Sequence, residues 1–216
     1  MKIIDLSYTL DESCMTCGTP WHEKVKLVPL GTIETVGRNT HSITLGSHTG
    51  THMDAPLHFL AGADSIDKVN LEKLCGSCKV VDMSYKGKGD IVTLEDVRPI
   101  EITTRMLFRF CWFRHWKTDM FYKGFPFFSE DAAKYLVDCG LKVLALDTPS
   151  PDDGNAIGKM DDSPVHKILL KHDVTIIEYL TNTDRLDPNK SYDLFALPLK
   201  LRGCDGAPSR VIMVEE

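Results

Sequence analysis

Gly46-Ser47-His48-Thr49-Gly50-Thr51-His52-Met53-Asp54-Ala55-Pro56-Leu57-His58-Phe59 decides how this 216-residue chain is read. It packs three histidines and an aspartate into the eleven residues from His48 to His58. His48 and His52 are four apart, the spacing of one helix face, but Gly46, Gly50, Thr49, Thr51 and Pro56 are poor helix formers. A strand entering a tight loop fits better, with the glycines letting the backbone fold closely around an ion. In an extended segment His52 and Asp54, two apart, point to the same side, and Met53 and Leu57 face the core.

Imidazole and carboxylate together suit a borderline-soft divalent ion: Zn²⁺, or Mn²⁺ where oxygen ligands dominate. Asp54 has two oxygens and can bridge two ions. A single histidine is more often a core or surface residue than a ligand. Four such groups in one Gly/Pro-shaped loop point instead to a metal site.

Working outward, short apolar runs bounded by turn residues predict strands at Ile3–Leu6, Ile43–Leu45, Val80–Met83, Val143–Leu146, Val174–Ile177 and Val211–Val214. One helix is expected after the N-cap Ser129, with Gly140 at its far end. A second starts at Ser163-Pro164 and places His166 in its first turn. Glu178 closes the strand that follows. The sum is an α/β chain, richer in strand than helix, with strand-helix-strand units in its second half.

Composition excludes several classes. The chain is 43% hydrophobic and 26% charged, as a single folded domain over 1–216 should be. A net charge of −6 argues against nucleic acid as a partner. Arg105, Arg109 and Arg114 are interrupted by aromatics and read as a partly packed edge. No apolar stretch is long enough to span a membrane, and Met1–Leu6 reads as a strand rather than a secretion signal, so a cytoplasmic location is expected. The seven cysteines read as reduced thiols. Cys14/Cys17 and Cys75/Cys78 each form a Cys-x-x-Cys pair, but the gap between pairs is too long for a shared zinc ribbon. Asp147 ends a strand and reads as a turn carboxylate holding Ser150, or as a neighbour of the site. His22, His41, His115 and His172 read as ordinary. The aromatic segment 107–128 reads either as a wall for a flat substrate or subunit contact, or as core.

Residues 48–59 resemble the signature of the cyclase family of metal-dependent hydrolases, which includes bacterial kynurenine formamidases (arylformamidases) and isatin hydrolases. Asp147-Thr148-Pro149-Ser150, Pro164-Val165-His166 with Ile177-Glu178, Pro198-Leu199-Lys200-Leu201 and Asp205-Gly206-Ala207-Pro208-Ser209-Arg210 resemble further motifs of that family, in order along nearly the whole chain. The resemblance implies a swivelling β/β/α fold with a mixed β-sheet core. It implies that His48, His52 and Asp54 hold one metal, that Asp54, His166 and Glu178 hold a second, and that His58 is the general acid/base. One or two ions per subunit, Zn²⁺ or else Mn²⁺, and a homo-oligomer (dimer or tetramer) are expected with it.

The activity implied is hydrolysis of an amide C–N bond by a metal-bound hydroxide, on a small aromatic amide such as N-formylkynurenine, released as kynurenine and formate. Family formamidases carry Trp-Pro-Gly-Asp in the first loop; here that loop reads Cys17-Gly18-Thr19-Pro20-Trp21-His22-Glu23, which keeps Trp21 as a substrate contact but not the rest. That departure leaves open an isatin hydrolase-like opening of a cyclic amide or ester. A reading of another class, a non-catalytic metal-binding protein, gives no reason for His58.

Overall fold

The computed structural model describes residues 1–156 and 162–215. Its strands are β1 (Lys2–Asp5), β2 (Lys26–Gly31), β3 (Thr40–Thr44), β4 (His52–Asp54), β5 (Cys75–Ser77), β6 (Lys79–Asp82), β7 (Ile91–Val92), β8 (Arg105–Arg109), β9 (Phe127–Phe128), β10 (Val143–Leu146), β11 (Thr175–Glu178), β12 (Tyr192–Pro198) and β13 (Gly206–Glu215). The helices are α1 (Ile33–Val36), α2 (Leu94–Val97), α3 (Glu130–Asp138) and α4 (Pro164–Lys171).

A nine-stranded mixed sheet runs β5-β12-β13-β4-β11-β10-β8-β6, with β1 also paired to β13. Strands β6, β8, β10 and β11 are parallel neighbours; β4, β13, β12 and β5 continue the sheet antiparallel. The two ends of this path, β5 and β6, are joined through Cys78 alone, whose N–H donates to Tyr192 O on β12. The sheet therefore curls nearly shut, which gives the mixed-sheet α/β architecture expected from the sequence.

Two-residue alternation divides the apolar side chains between two cores. Val80, Leu107, Val143, Ala145 and Ile177 point inward with Leu194, Val211 and Met213. Their neighbours Val81, Phe108, Leu144, Leu146 and Ile176 point outward to meet Leu136 of α3 and Leu169 of α4. Each fully buried side chain of that size contributes about 1.5–3 kcal/mol. Most of the aromatic segment is spent here: Phe108, Phe110, Trp112, Phe121, Phe125 and Phe128 are all buried in the outer core.

Helix α3 starts as expected, with the Ser129 hydroxyl accepting from Ala132 N–H. Helix α4 departs from expectation. Ser163 occupies the N-cap position without capping, and Asp152 accepts the Val165 and His166 N–H groups instead. Asp147 does not hold Ser150 either. Its fully buried carboxylate accepts from Phe110 N–H, Cys111 N–H and the Thr183 hydroxyl, tying the ends of β8 and β10 to the turn after β11. Strand β3 contains the expected Ile43, yet it lies outside the main sheet. With β2 it forms a separate hairpin that exposes Val28, Leu30, Ile33, Val36 and Ile43.

Candidate metal centre

Strand β4 supplies two side chains of the site. His52 and Asp54 face one side, while Met53 points the other way into the inner core. Register does the rest: β11 lies antiparallel to β4 with Glu178 directly opposite His52, and Gly206 of β13 sits opposite Asp54. Position 206 requires glycine, since a Cβ there would fall 2.8 Å from Met53 O and 2.9 Å from His48 Cε1. Gly50 turns the chain between His48 and β4 with φ of 58°. Helix α4 then brings His166 in from the outer side of the sheet.

The result is a ring of four ligand-type side chains. His52 Nε2 lies 3.5 Å from Asp54 Oδ1 and 3.4 Å from Glu178 Oε2. His166 Nε2 lies 3.4 Å from Asp54 Oδ2 and 3.3 Å from Glu178 Oε1. Both imidazoles are turned so that Nε2 faces the ring. His52 Nδ1–H donates to Gly50 O at 2.7 Å, and His166 Nδ1–H donates to Asp152 Oδ2 at 2.6 Å. Both oxygens of Asp54 and Oε1 of Glu178 are buried and accept no well-aligned hydrogen bond, facing only the flanking imidazole nitrogens. Buried carboxylate oxygens left this way are costly, and a cation among them removes the cost. Tetrahedral ligands at about 2.0–2.1 Å from zinc stand about 3.3 Å apart. The donor set and its spacing therefore fit a divalent ion.

A second group shares Asp54. His48 Nδ1 approaches Asp54 Oδ1 at 2.9 Å, and the rings of His48 and His58 lie 4.0 Å apart. Ligand atoms of His48, Asp54 and His58 are close enough for one ion, as are those of His52, Asp54 and Glu178. Asp54 is common to both groups, and His166 faces Asp54 and Glu178 as well. Asp205 joins His48 to His58: its Oδ2 accepts from His48 Nε2 at 2.8 Å and from His58 Nδ1 at 3.0 Å, while Ser47 Oγ donates to its Oδ1 at 2.9 Å.

Protonation follows the packing. Burial disfavours a charged His48, but Asp54 and Asp205 outweigh it and raise its pKa to about 10. His166 is likewise raised against burial, by Asp152, Asp54 and Glu178. Burial dominates at His52, pushed down to about 3, and at His58, which is lowered although Asp205 opposes the shift. Glu178 rises to about 7 through burial and the nearby Asp54. The two imidazoles beside carboxylates are thus driven to hold the positive charge that a cation would otherwise bring.

A cavity of about 300 Å³ opens over the ring, walled by His48, His52, His58, Phe59, His166, Glu178 and Tyr179 and by the loop carrying Cys17, Trp21 and His22. Trp21 stands in this wall but is 70% exposed. His22, ordinary by sequence, lies in the same wall. Of the segment 107–128, Tyr122 reaches the cavity. The cysteines form no centre: among the described residues, no metal-competent cluster contains one. Asp152 and Asp205 escape a sequence reading. Asp205 at least sits in a quoted C-terminal motif; nothing near Asp152 marks it as the partner of His166.

The chain matches the Cyclase family profile, described as "Putative cyclase", over residues 4–153. It is 32% identical to kynurenine formamidase of Bordetella avium over 181 residues, 82% of this chain and 81% of that protein. Isatin hydrolase A from Labrenzia aggregata, solved with bound benzyl benzoate, is 25% identical with a TM-score of 0.87, covering 100% of this chain and 94% of that one. A predicted metal-dependent hydrolase from Bacillus stearothermophilus is 29% identical with a TM-score of 0.75, covering 98% and 97%.

Proposed function

This chain belongs to the cyclase family, and from that premise we propose that it is a divalent-metal-dependent hydrolase of an amide C–N bond, acting on an aryl formamide such as N-formylkynurenine. The observation that carries the reading is the ring of His52, Asp54, His166 and Glu178 with its unsatisfied buried oxygens. His48 completes the metal-binding set from the other side of Asp54. Zinc suits these imidazoles and carboxylates, with manganese the alternative, as one ion or as two sharing Asp54. When bound, the ion supplies Lewis acidity, which lowers the pKa of water toward about 7 and polarises the carbonyl.

The chain's own residues do the rest. Asp205 accepts a hydrogen bond from His58 Nδ1–H, so Nε2 carries the free lone pair. His58 takes a proton from the attacking water and returns it to the leaving nitrogen. Phe59, Tyr122 and Trp21 give the cavity apolar faces on which an aromatic ring can lie. The loop around Trp21, which lacks Pro-Gly-Asp, favours a second reading: opening of a cyclic amide such as isatin.

The exposed hairpin supports a homo-oligomer. A two-stranded hairpin is marginally stable alone, and this one leaves Leu30 69% and Ile43 63% exposed. We place a second copy of the chain against it.

The test is formate release from N-formylkynurenine, and ring opening of isatin, by zinc- and manganese-loaded protein beside a chelator-stripped control. Metal-dependent turnover of the first supports the formamidase reading. Turnover of isatin alone moves the substrate to the cyclic amide, and turnover of neither by metal-holding protein removes both.

A further inference from the structure

The cavity wall opposite the metal ligands holds a pair of side chains that the proposed hydrolysis does not use. Cys17 Sγ lies 3.0 Å from His22 Nδ1 and 3.2 Å from Thr19 Oγ1. Both partners sit on the same short loop, and all three residues line the cavity over the metal-binding ring. That cavity is a ligand site on independent grounds, because Glu178 Oε1, buried and accepting no well-aligned hydrogen bond, belongs to its lining. A thiol beside an imidazole in a solvent-reachable cavity is the arrangement that makes a sulfur nucleophile.

We propose that Cys17 and His22 form a thiol–imidazole pair in the cavity wall, a nucleophilic modification site for small carbon electrophiles, and that modification there closes the cavity to substrate. The closure rests on the hydrolase reading; the reactivity of the pair does not. The chemistry is a simple displacement. With iodoacetamide as probe, the Cys17 sulfur forms a bond to the CH₂ carbon as the thiol proton passes to His22, and the C–I bond breaks with iodide leaving. The carboxamidomethyl group then stands in a cavity of about 300 Å³.

Burial raises the Cys17 pKa, but hydrogen bonds with His22 and Thr19 outweigh it and bring the thiol down to about 7. From other elements, Tyr122 and Tyr179 face it, and the ring of His48 stacks on that of His22 at 6.4 Å. Burial raises both phenols, so they stay neutral across the working range. Cys14 lies near Tyr122 as well, with its pKa raised by burial. The surroundings thus separate the cysteines clearly. Cys78 is pushed up to about 12, and Cys111 is also raised. A thiol titrating near 7 is about half thiolate at neutral pH, against about 3% for an ordinary cysteine near 8.5.

The experiment is iodoacetamide labelling of the metal-loaded full chain from pH 6 to 9, each cysteine followed by peptide mass spectrometry, with exposed Cys139 as internal reference. At pH 7, Cys17 should label about ten times faster than Cys139, with its rate midpoint near pH 7. His22→Ala should slow Cys17 labelling at pH 7 by about tenfold and move the midpoint up by about one unit; His22→Gln, which keeps the bulk, should do the same. Turnover should fall in step with Cys17 labelling and become resistant to the reagent in Cys17→Ser. Labelling no faster than at Cys139, or a midpoint unmoved in both His22 variants, would overturn the pair. Rapid labelling with turnover unaffected would overturn the closure. Because labelling is read by mass, a protein that hydrolyses no amide still decides the question.

Discussion

Replacing Asp205 by asparagine tests the positioning of His58. The carboxylate is half-buried, and its hydrogen bonds with His48 and then His58 hold it well below the usual carboxylate range, so it is ionised at every working pH. Its Oδ2 accepts two bonds, at 2.8 and 3.0 Å. Asparagine keeps the shape and one acceptor but loses the charge. A hydrogen bond to a charged group contributes about 1.5–3 kcal/mol and a neutral one about 0.5–1.5. Partial solvent access takes the difference to the lower end, about 1–2 kcal/mol over both bonds. If His58 depends on this partner in the transition state, kcat falls about 5–30-fold. Asp205→Ala, which leaves both imidazoles without the acceptor, should cost more than the asparagine variant.

The assay is steady-state kinetics on the metal-loaded enzyme across pH, with metal content measured in parallel. A second signature separates positioning from simple loss of structure. Asp205 raises the pKa of His58, so removing its charge lowers that pKa, and the acidic limb of the kcat profile moves to lower pH. Wild-type kcat within twofold in both variants, at equal metal content and with the limb unmoved, would refute the assignment.

His58→Ala should retain its metal by elemental analysis and lose about 10²–10⁴-fold in kcat. Asp54→Ala should instead lose bound metal, since the Asp54 carboxylate touches both candidate ligand groups; normal stoichiometry would remove the bridging role. Leu30→Lys with Ile43→Lys should convert an oligomer to a smaller species by light scattering without changing the circular dichroism spectrum. At pH 4 the neutral Asp147 carboxyl carries one O–H, whereas the Asp147→Asn amide turns two N–H donors toward the backbone donors at Phe110 or Cys111 and should destabilise by about 1–3 kcal/mol in urea denaturation. Burial raises the folded pKa of Asp147 to about 6, so folding favours its protonated form. The wild type's contribution from this group is fullest below its unfolded pKa near 4 and declines as pH rises to about 6, so the gap between the two proteins should narrow over that window.

Local pattern made much of this protein legible. The alternation that places His52 and Asp54 on one face of β4 is a property of any strand, and glycine and proline around it exclude a helix whatever the rest of the chain does. Val143–Leu146 and Ser129 announce a strand and a helix start for the same reason: their signals lie within a few residues. The chain's resemblance to a family of metal hydrolases rests on such short motifs too. Other features depend on residues far apart in sequence. That Glu178 stands opposite His52 follows from the β4–β11 register, and that Asp152 rather than Ser163 caps α4 follows from how the turn after β10 folds back. Asp205 reaches His58 from 147 residues away because β13 passes beside β4. Ile43 could be recognised as a strand residue, yet whether that strand enters the main sheet was decided elsewhere. Spacing determines which groups can face the same way; only the closed sheet, through its register and buried environment, decides which of them meet and what charge they carry.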